Sequence, residues 1–225
     1  MALECYFMSG SPFAWRALLA LQLKGLEFKA TEVHGSKGDN KTPEYLAMNP
    51  HGQVPVLKDG DTTVYESLAI LAYLDRQYPE KPLFGATPEE SALIWQRTME
   101  LNSHLFSNMS NLVRAVFRGA VEGNEEALNE DIATIKEELS EVTGWFNGED
   151  YLAGDSMSAV DISLYPMLAL LLRLMGNVSN EKLIIDFIPI AEHFPAIAAW
   201  MTRVEAMPGF DAVYPPHWKA QKAAE

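Results

Sequence analysis

Only one of the 225 residues, Cys5, is a cysteine. A single thiol excludes an internal disulfide framework and any CxxC redox pair, and it fits a reducing compartment. Basic residues are scarce as well, 17 against 31 acidic ones, for a formal charge of -14. A surface that tracks phosphates or an anionic membrane face needs the opposite balance, so no nucleic acid or membrane partner is expected. Long apolar runs are missing: the longest, Leu164 to Leu172, is far too short to span a bilayer. Met1-Ala2-Leu3-Glu4 lacks the basic segment of a signal peptide. The histidines show neither HExxH nor paired-ligand spacing, so no metal site is expected. These absences predict a soluble cytoplasmic protein.

What is present is a chain 48% hydrophobic, enough for one large domain or two small ones. Two are expected: residues 1–80, a linker at 81–87 built on Pro82 and Gly85, and residues 88–225. Leu3 to Met8 reads as a strand buried on both faces. Ser11-Pro12 is an N-cap followed by proline at the first helical place, and the helix from Phe13 closes at Lys24-Gly25. Leu26 to Val33 alternates as a second strand, and a short helix follows Thr42-Pro43. Asp59-Gly60 signals a hairpin joining Val54–Lys58 to Thr62–Tyr65, and helix spacing resumes from Glu66 to Tyr78. The order strand, helix, strand, helix, strand, strand, helix predicts a small sheet with helices packed on it.

Beyond the linker everything has helical period. Thr87-Pro88-Glu89-Glu90 and Ser158-Ala159-Val160-Asp161 are capping boxes. Leu128, Ile132, Ile135, Leu139, Val142 and Phe146 mark an amphipathic helix with an acidic outer face. Phe194 to Ala206 makes the last clear helix, and the tail around Tyr214-Pro215-Pro216-His217-Trp218 reads as irregular.

The stretch from His51 to Tyr73 says most about function. Pro55 offers no ladder N–H, so Gln53-Val54-Pro55-Val56-Leu57 must begin at a bulge, edge or bend. A cis Val54-Pro55 bond would turn the backbone groups of Val54 toward a cleft, where an extended peptide could pair with them. Glu66-Ser67 opens a helix, whose free N–H groups and dipole suit a carboxylate, while the Glu66 side chain can accept from an amine. Amine plus carboxylate on one carbon describes a γ-glutamyl head. The alternative is that both residues simply cap the helix.

These pieces, in this order, resemble the cytosolic glutathione transferase superfamily over nearly the whole chain. The resemblance rests on Ser11-Pro12-Phe13 with Arg16, Asn49-Pro50 before Gln53-Val54-Pro55-Val56-Leu57, and Glu66-Ser67 before Ile70 and Tyr73-Leu74. In the second half it rests on Tyr151-Leu152-Ala153-Gly154-Asp155 with Ser158 and Asp161, and on Phe194-Pro195 before Trp200. It implies a thioredoxin-like α/β N-terminal domain (βαβαββα), an all-α C-terminal helical bundle carrying much of the electrophile pocket, and a homodimer. It also implies glutathione as co-substrate of a detoxifying transferase.

By the same resemblance Ser11 matches the catalytic serine of the zeta-like classes and would stabilise the glutathione thiolate. Tyr6 and Ser9 are the alternative donors, and Cys5 is expected to be strand core. Lys41, beside Asn40, is the candidate for the glycine carboxylate, with Gln53, Val54, Pro55, Glu66 and Ser67 completing the glutathione set. Arg16 and His51 are expected to be structural. Met8, Phe13, Asn108, Met109, Val113 and Tyr165 are candidates for an apolar electrophile pocket. The reaction would be conjugation, dehalogenation or isomerisation. The rival reading is a non-catalytic relative that uses the fold to bind a protein.

Overall fold

The structure, a computed structural model describing residues 3–176 and 182–222, opens on β1 (Leu3–Phe7). Ser11 then caps α1 (Pro12–Lys24), its side chain accepting from the Ala14 amide, and Gly25 closes the helix at φ 70°, a conformation open to glycine at no steric cost. The chain continues through β2 (Phe28–Glu32), two short 3₁₀ turns at Gly35–Lys37 and Asp39–Lys41, and α2 (Pro43–Met48), capped by Thr42. β3 (Val56–Asp59), β4 (Thr62–Tyr65) and α3 (Ser67–Gln77) complete the expected βαβαββα order.

The strands lie in the order β2-β1-β3-β4, with β1 parallel to β2 and the other pairs antiparallel. Asp59 pairs with Thr62, so the hairpin loop is Gly60-Asp61, one residue later than the Asp59-Gly60 expected. Gly60, at φ 59°, supplies the turn conformation from inside that shifted loop. Cys5, Val56, Leu57, Ile70, Leu71 and Leu74 are fully enclosed.

A second unit is all helical. Thr87 and Glu90 form the predicted reciprocal cap of α4 (Pro88–Glu100). A wide π turn at Leu101–Leu105 leads into α5 (Phe106–Phe117), followed by α6 (Glu125–Gly144). On α6 the predicted row Leu128, Ile132, Ile135, Leu139 and Val142 is buried, and acidic residues face out. Ser158 and Asp161 cap α7 (Ala159–Met175), buried almost all round as its apolar sequence requires. α8 (Ile190–His193) and α9 (Pro195–Glu205) finish this unit.

By internal contacts the chain divides at Phe84–Gly85 and again at Glu205–Ala206: Met1–Phe84 group with Ala206–Glu225, and Gly85–Glu205 group together. The tail was expected to be irregular. Instead it forms α10 (Phe210–Val213) and α11 (Pro216–Lys222). Pro216 starts a helix, the place where a missing N–H costs nothing. Phe210, Tyr214 and Trp218, four residues apart, all set their rings against Trp15 of α1. No described helix is long and apolar enough to cross a membrane.

Candidate functional site

Sheet pairing between β1 and β3 ends at Tyr6–Val56, so Val54 lies beyond the last paired residue. The Val54-Pro55 bond is cis, and both residues line a cleft of about 490 Å³ together with Met8, Phe13, Asn40, Asn49, Gly52, Gln53, Glu66 and Ser67. Of the residues predicted for glutathione, Gln53, Val54, Pro55, Glu66 and Ser67 therefore converge, with Met8 and Phe13 of the predicted electrophile set beside them.

The bend carrying Val54 is held from behind. The Tyr45 hydroxyl and the Asn49 carboxamide both donate to the Gln53 carbonyl, at 2.8 and 2.9 Å, and Asn40 Nδ2 donates to the Gly52 carbonyl at 2.6 Å. Burial, with Cys5 and Tyr6 nearby, pushes the Tyr45 phenol up to about 12, so it stays a neutral donor at any physiological pH. His51, whose amide donates to Asn49 Oδ1, is a turn residue, with its ring edge-on to Tyr65.

Gly52 sits at φ +61°, and a Cβ there would meet the Asn40 carbonyl at 2.7 Å and Lys41 Nζ at 2.9 Å. Only glycine fits both the conformation and the space. The same measurement puts the Lys41 ammonium against a residue of the cleft wall, although Lys41 is itself exposed. Gly52→Ala is expected to displace Lys41 and the Asn40 backbone, with a stability loss of about 1–3 kcal/mol. Urea unfolding measures the loss.

Glu66 is the N-cap of α3 at φ 70°, ψ 115°, and its side chain makes no capping bond. The capping alternative thus fails for Glu66. A non-glycine residue at such a φ is uncommon and costs of order 1–3 kcal/mol, which the surrounding structure must offset. The conformation leaves the carboxylate exposed on the cleft wall, just before the amides of the first α3 turn. Ser67, which follows it, is buried, and its Oγ accepts from Arg16 Nη1 at 3.0 Å. Burial draws the Arg16 guanidinium down to about 10, and its ζ carbon lies 5.5 Å over the Phe13 ring. Arg16 thereby ties the start of α1 to the start of α3.

Ser11 stands half-buried between the cleft residues Met8 and Phe13. Its amide donates to the Met8 carbonyl at 3.0 Å, and its Oγ accepts from the Ala14 amide at 3.3 Å. The hydroxyl proton has no part in that cap. Tyr6 points elsewhere: its ring is edge-on to Tyr45 at 6.2 Å and packs with Val33 and Val56. Burial and the neighbouring Glu4 carboxylate hold its phenol above the ordinary tyrosine value. Ser9 Oγ faces His217. Cys5 is enclosed, and burial pushes its thiol to about 12.

In the helical unit Met109 and Tyr165 are enclosed, the Tyr165 hydroxyl donating to Glu205 at 2.8 Å. Asn108 and Val113 are half-buried, with Asn108 Nδ2 donating to the His104 carbonyl. Among the described residues no three His, Cys, Asp or Glu side chains meet as metal ligands would. A second hollow of about 580 Å³, lined by Phe7, Leu18, Phe28, Val213 and Tyr214 among others, has Glu27 as its one charged wall residue. It lacks the ammonium that an anionic peptide needs.

Residues 10–77 match the family model for the glutathione S-transferase N-terminal domain, and residues 95–208 match that for the C-terminal domain. The chain belongs to the glutathione S-transferase family. This transferase is 30% identical to glutathione S-transferase 4 of Zea mays, over 94% of its own length and 92% of the relative's. It is 31% identical to a zeta-class glutathione S-transferase of Euphorbia esula, over 75% and 74% of the two chains. The structure of a glutathione S-transferase from the Antarctic clam Laternula elliptica superposes with a TM-score of 0.82 at 27% identity, covering 97% of this chain and 94% of that one. The protein is accordingly an enzyme with a thioredoxin-like domain and an all-α domain, and glutathione is its co-substrate.

Sequence reasoning missed the roles of Tyr45, Asn49 and Gly52. Asn49-Pro50-His51-Gly52 is a turn signal that could have pointed to a bend needing support, but the hydroxyl of Tyr45 carries no local mark of its target.

Proposed function

We propose that the cleft at Val54 is the glutathione site and that Ser11 stabilises the thiolate, making this a serine-type transferase acting on a small hydrophobic electrophile. In this reading the backbone of Val54 pairs with the cysteinyl unit. The α3 amides with Ser67 take the γ-glutamyl carboxylate, Glu66 takes its amino group, and Lys41 with Gln53 takes the glycine carboxylate. The observation that carries the reading is Glu66, held at positive φ with an uncapped carboxylate on the wall of the cleft.

The mechanism follows from local charge. Glutathione is an anion approaching a chain of net charge -14, so long-range steering opposes it. Binding must come from donors at short range: the ammonium at one end, a helix start at the other. The sulfur then lies by the N-terminus of α1, where free N–H groups and the Ser11 hydroxyl favour thiolate over thiol. The thiolate attacks an electrophilic carbon, and an apolar wall including Met8 and Phe13 suits a hydrophobic partner.

We further infer a cytoplasmic, detoxifying homodimer. Retention on immobilised glutathione, followed by turnover of a generic aryl halide, tests the assignment. Glu66→Gln is expected to raise KM for glutathione about tenfold or more, the effect of losing a hydrogen bond to a charged group at about 1.5–3 kcal/mol. An unchanged KM removes Glu66 from the site.

A further inference from the structure

Ser9 is engaged by a contact that the transferase reading leaves unused. Its Oγ lies 2.8 Å from Nδ1 of His217 in the first turn of α11, 208 residues further along the chain. The same imidazole lies against Gly10: a Cβ at that glycine would meet His217 Cε1 at 3.1 Å and Nε2 at 3.2 Å. The ring therefore covers the backbone between Ser9 and Ser11. Its placement is built rather than incidental. α11 is anchored next door by Trp218, buried edge-on against Trp15 with centroids 5.5 Å apart, and Tyr214 meets the same indole at 5.5 Å. Among the described residues of the neighbouring elements, Arg16 of α1 donates to Ser67, Lys24 of α1 to the Glu80 and Lys81 carbonyls, and Lys219 of the tail pairs with Asp211 at 3.4 Å.

On the reading that glutathione's sulfur sits at the β1–α1 loop, we propose that Ser9 and His217 form a relay that removes the proton from the thiol. Neutral His217 offers its Nδ1 lone pair to the Ser9 hydroxyl. As glutathione arrives, the S–H bond breaks and its proton passes to Ser9 Oγ, while the Ser9 proton passes to Nδ1. The S–H electron pair stays on sulfur, so the products are a thiolate and an imidazolium joined through a serine. Ser9 then accepts from Nδ1–H and donates its new proton to the thiolate, a second hydroxyl beside that of Ser11.

In water a thiol at ~8.5 gives up its proton to an imidazole at ~6.5 only at a cost of about two pKa units. Charge-assisted donors from Ser9 and Ser11 close that gap. His217 is exposed, so the imidazolium returns its proton to bulk solvent before the next cycle. Ser11 in this scheme holds the anion, and the relay makes it.

His217→Asn tests the relay, because the Asn side-chain oxygen can still accept from Ser9 but takes no proton near neutral pH. Thiolate absorbance of bound glutathione against pH, with kcat and KM measured alongside, reads the result. For His217→Asn the apparent pKa is expected to rise by about one unit and kcat near neutral pH to fall about tenfold, the factor carried by one charge-assisted contact. KM for glutathione is expected to stay within about twofold, and the kcat deficit to vanish at high pH, where hydroxide takes the proton. Ser9→Ala should reproduce the loss, and the double variant should be no worse than either single one.

A wild-type pH profile in both single variants, or losses that multiply in the double, overturns the relay and leaves the cleft assignment standing. Failure of the wild-type protein to bind glutathione by calorimetry overturns both.

Discussion

Replacing Ser11 by alanine is expected to raise the kinetic pKa of bound glutathione by about one to two units, and to lower kcat/KM near neutral pH by about ten- to a hundredfold. The thiol's reference pKa of ~8.5 leaves only a few per cent of thiolate at pH 7. A hydrogen bond to a charged group is worth about 1.5–3 kcal/mol, and one pKa unit is about 1.4 kcal/mol, so a single hydroxyl accounts for the shift. Ser11 is free to supply it, because capping uses its lone pairs, toward Ala14, and leaves its proton. The same substitution removes an N-cap and should cost about 1 kcal/mol of stability. Urea unfolding separates that loss from the catalytic one, since lost stability alone leaves the pH profile of the folded enzyme in place. Tyr6→Phe serves as the contrast: with its ring packed on Tyr45, no change in the glutathione pKa is expected. A Tyr6 effect with a silent Ser11→Ala would reverse the assignment.

Local chemistry was readable in the sequence and contacts between distant residues were not. Ser11-Pro12, Thr87 with Glu90 and Ser158 with Asp161 each satisfy helix amides from within one turn, so the signal and the structure occupy the same few residues. The βαβαββα order followed for the same reason, from periodicity bounded by caps and glycine.

The tail is the opposite case. Its helices exist because Phe210, Tyr214 and Trp218 find Trp15, and that partner is specified by the fold. His217 was passed over on the same ground, since nothing near position 217 announces Ser9. The bend at Gln53 was legible through Pro55, but its supports from Tyr45 and Asn49 were not. Glu66 lies between the two: its sequence context marked a helix start, while its positive φ, which frees the carboxylate from capping, depends on how β4 delivers the chain into α3.

The largest stability effect should come from Asp161, remote in sequence from every residue of the cleft. Its carboxylate is fully buried and accepts four hydrogen bonds, from the Leu152 amide at 2.9 Å, the Ser158 amide at 2.8 Å, Ser158 Oγ at 2.9 Å and Trp200 Nε1 at 2.8 Å. One side chain thus joins the Tyr151–Gly154 turn, the start of α7 and the middle of α9. Burial pushes the carboxyl above its ordinary value even against the pull of those donors, so desolvation outweighs what they supply. Take the acceptor away and four donors are stranded in a dry core, each costing about 1–3 kcal/mol if unmet. Relaxation will recover part of that sum, and Asp161→Ala is expected to lose about 3–5 kcal/mol, the range seen when one partner of a buried charged network is removed. For a domain of ordinary stability that is a large share of the total. Asp161→Asn keeps the volume but turns an NH₂ group toward two of the donors, so it should recover only part of the loss. Trp200→Phe removes a single donor and should cost about 1–3 kcal/mol. Urea titrations of the three variants, followed by far-ultraviolet circular dichroism, give the order Ala, Asn, Phe from least to most stable. Equal stability of Asp161→Ala and the parent protein would mean that the helix start and the α9 indole are held by packing alone.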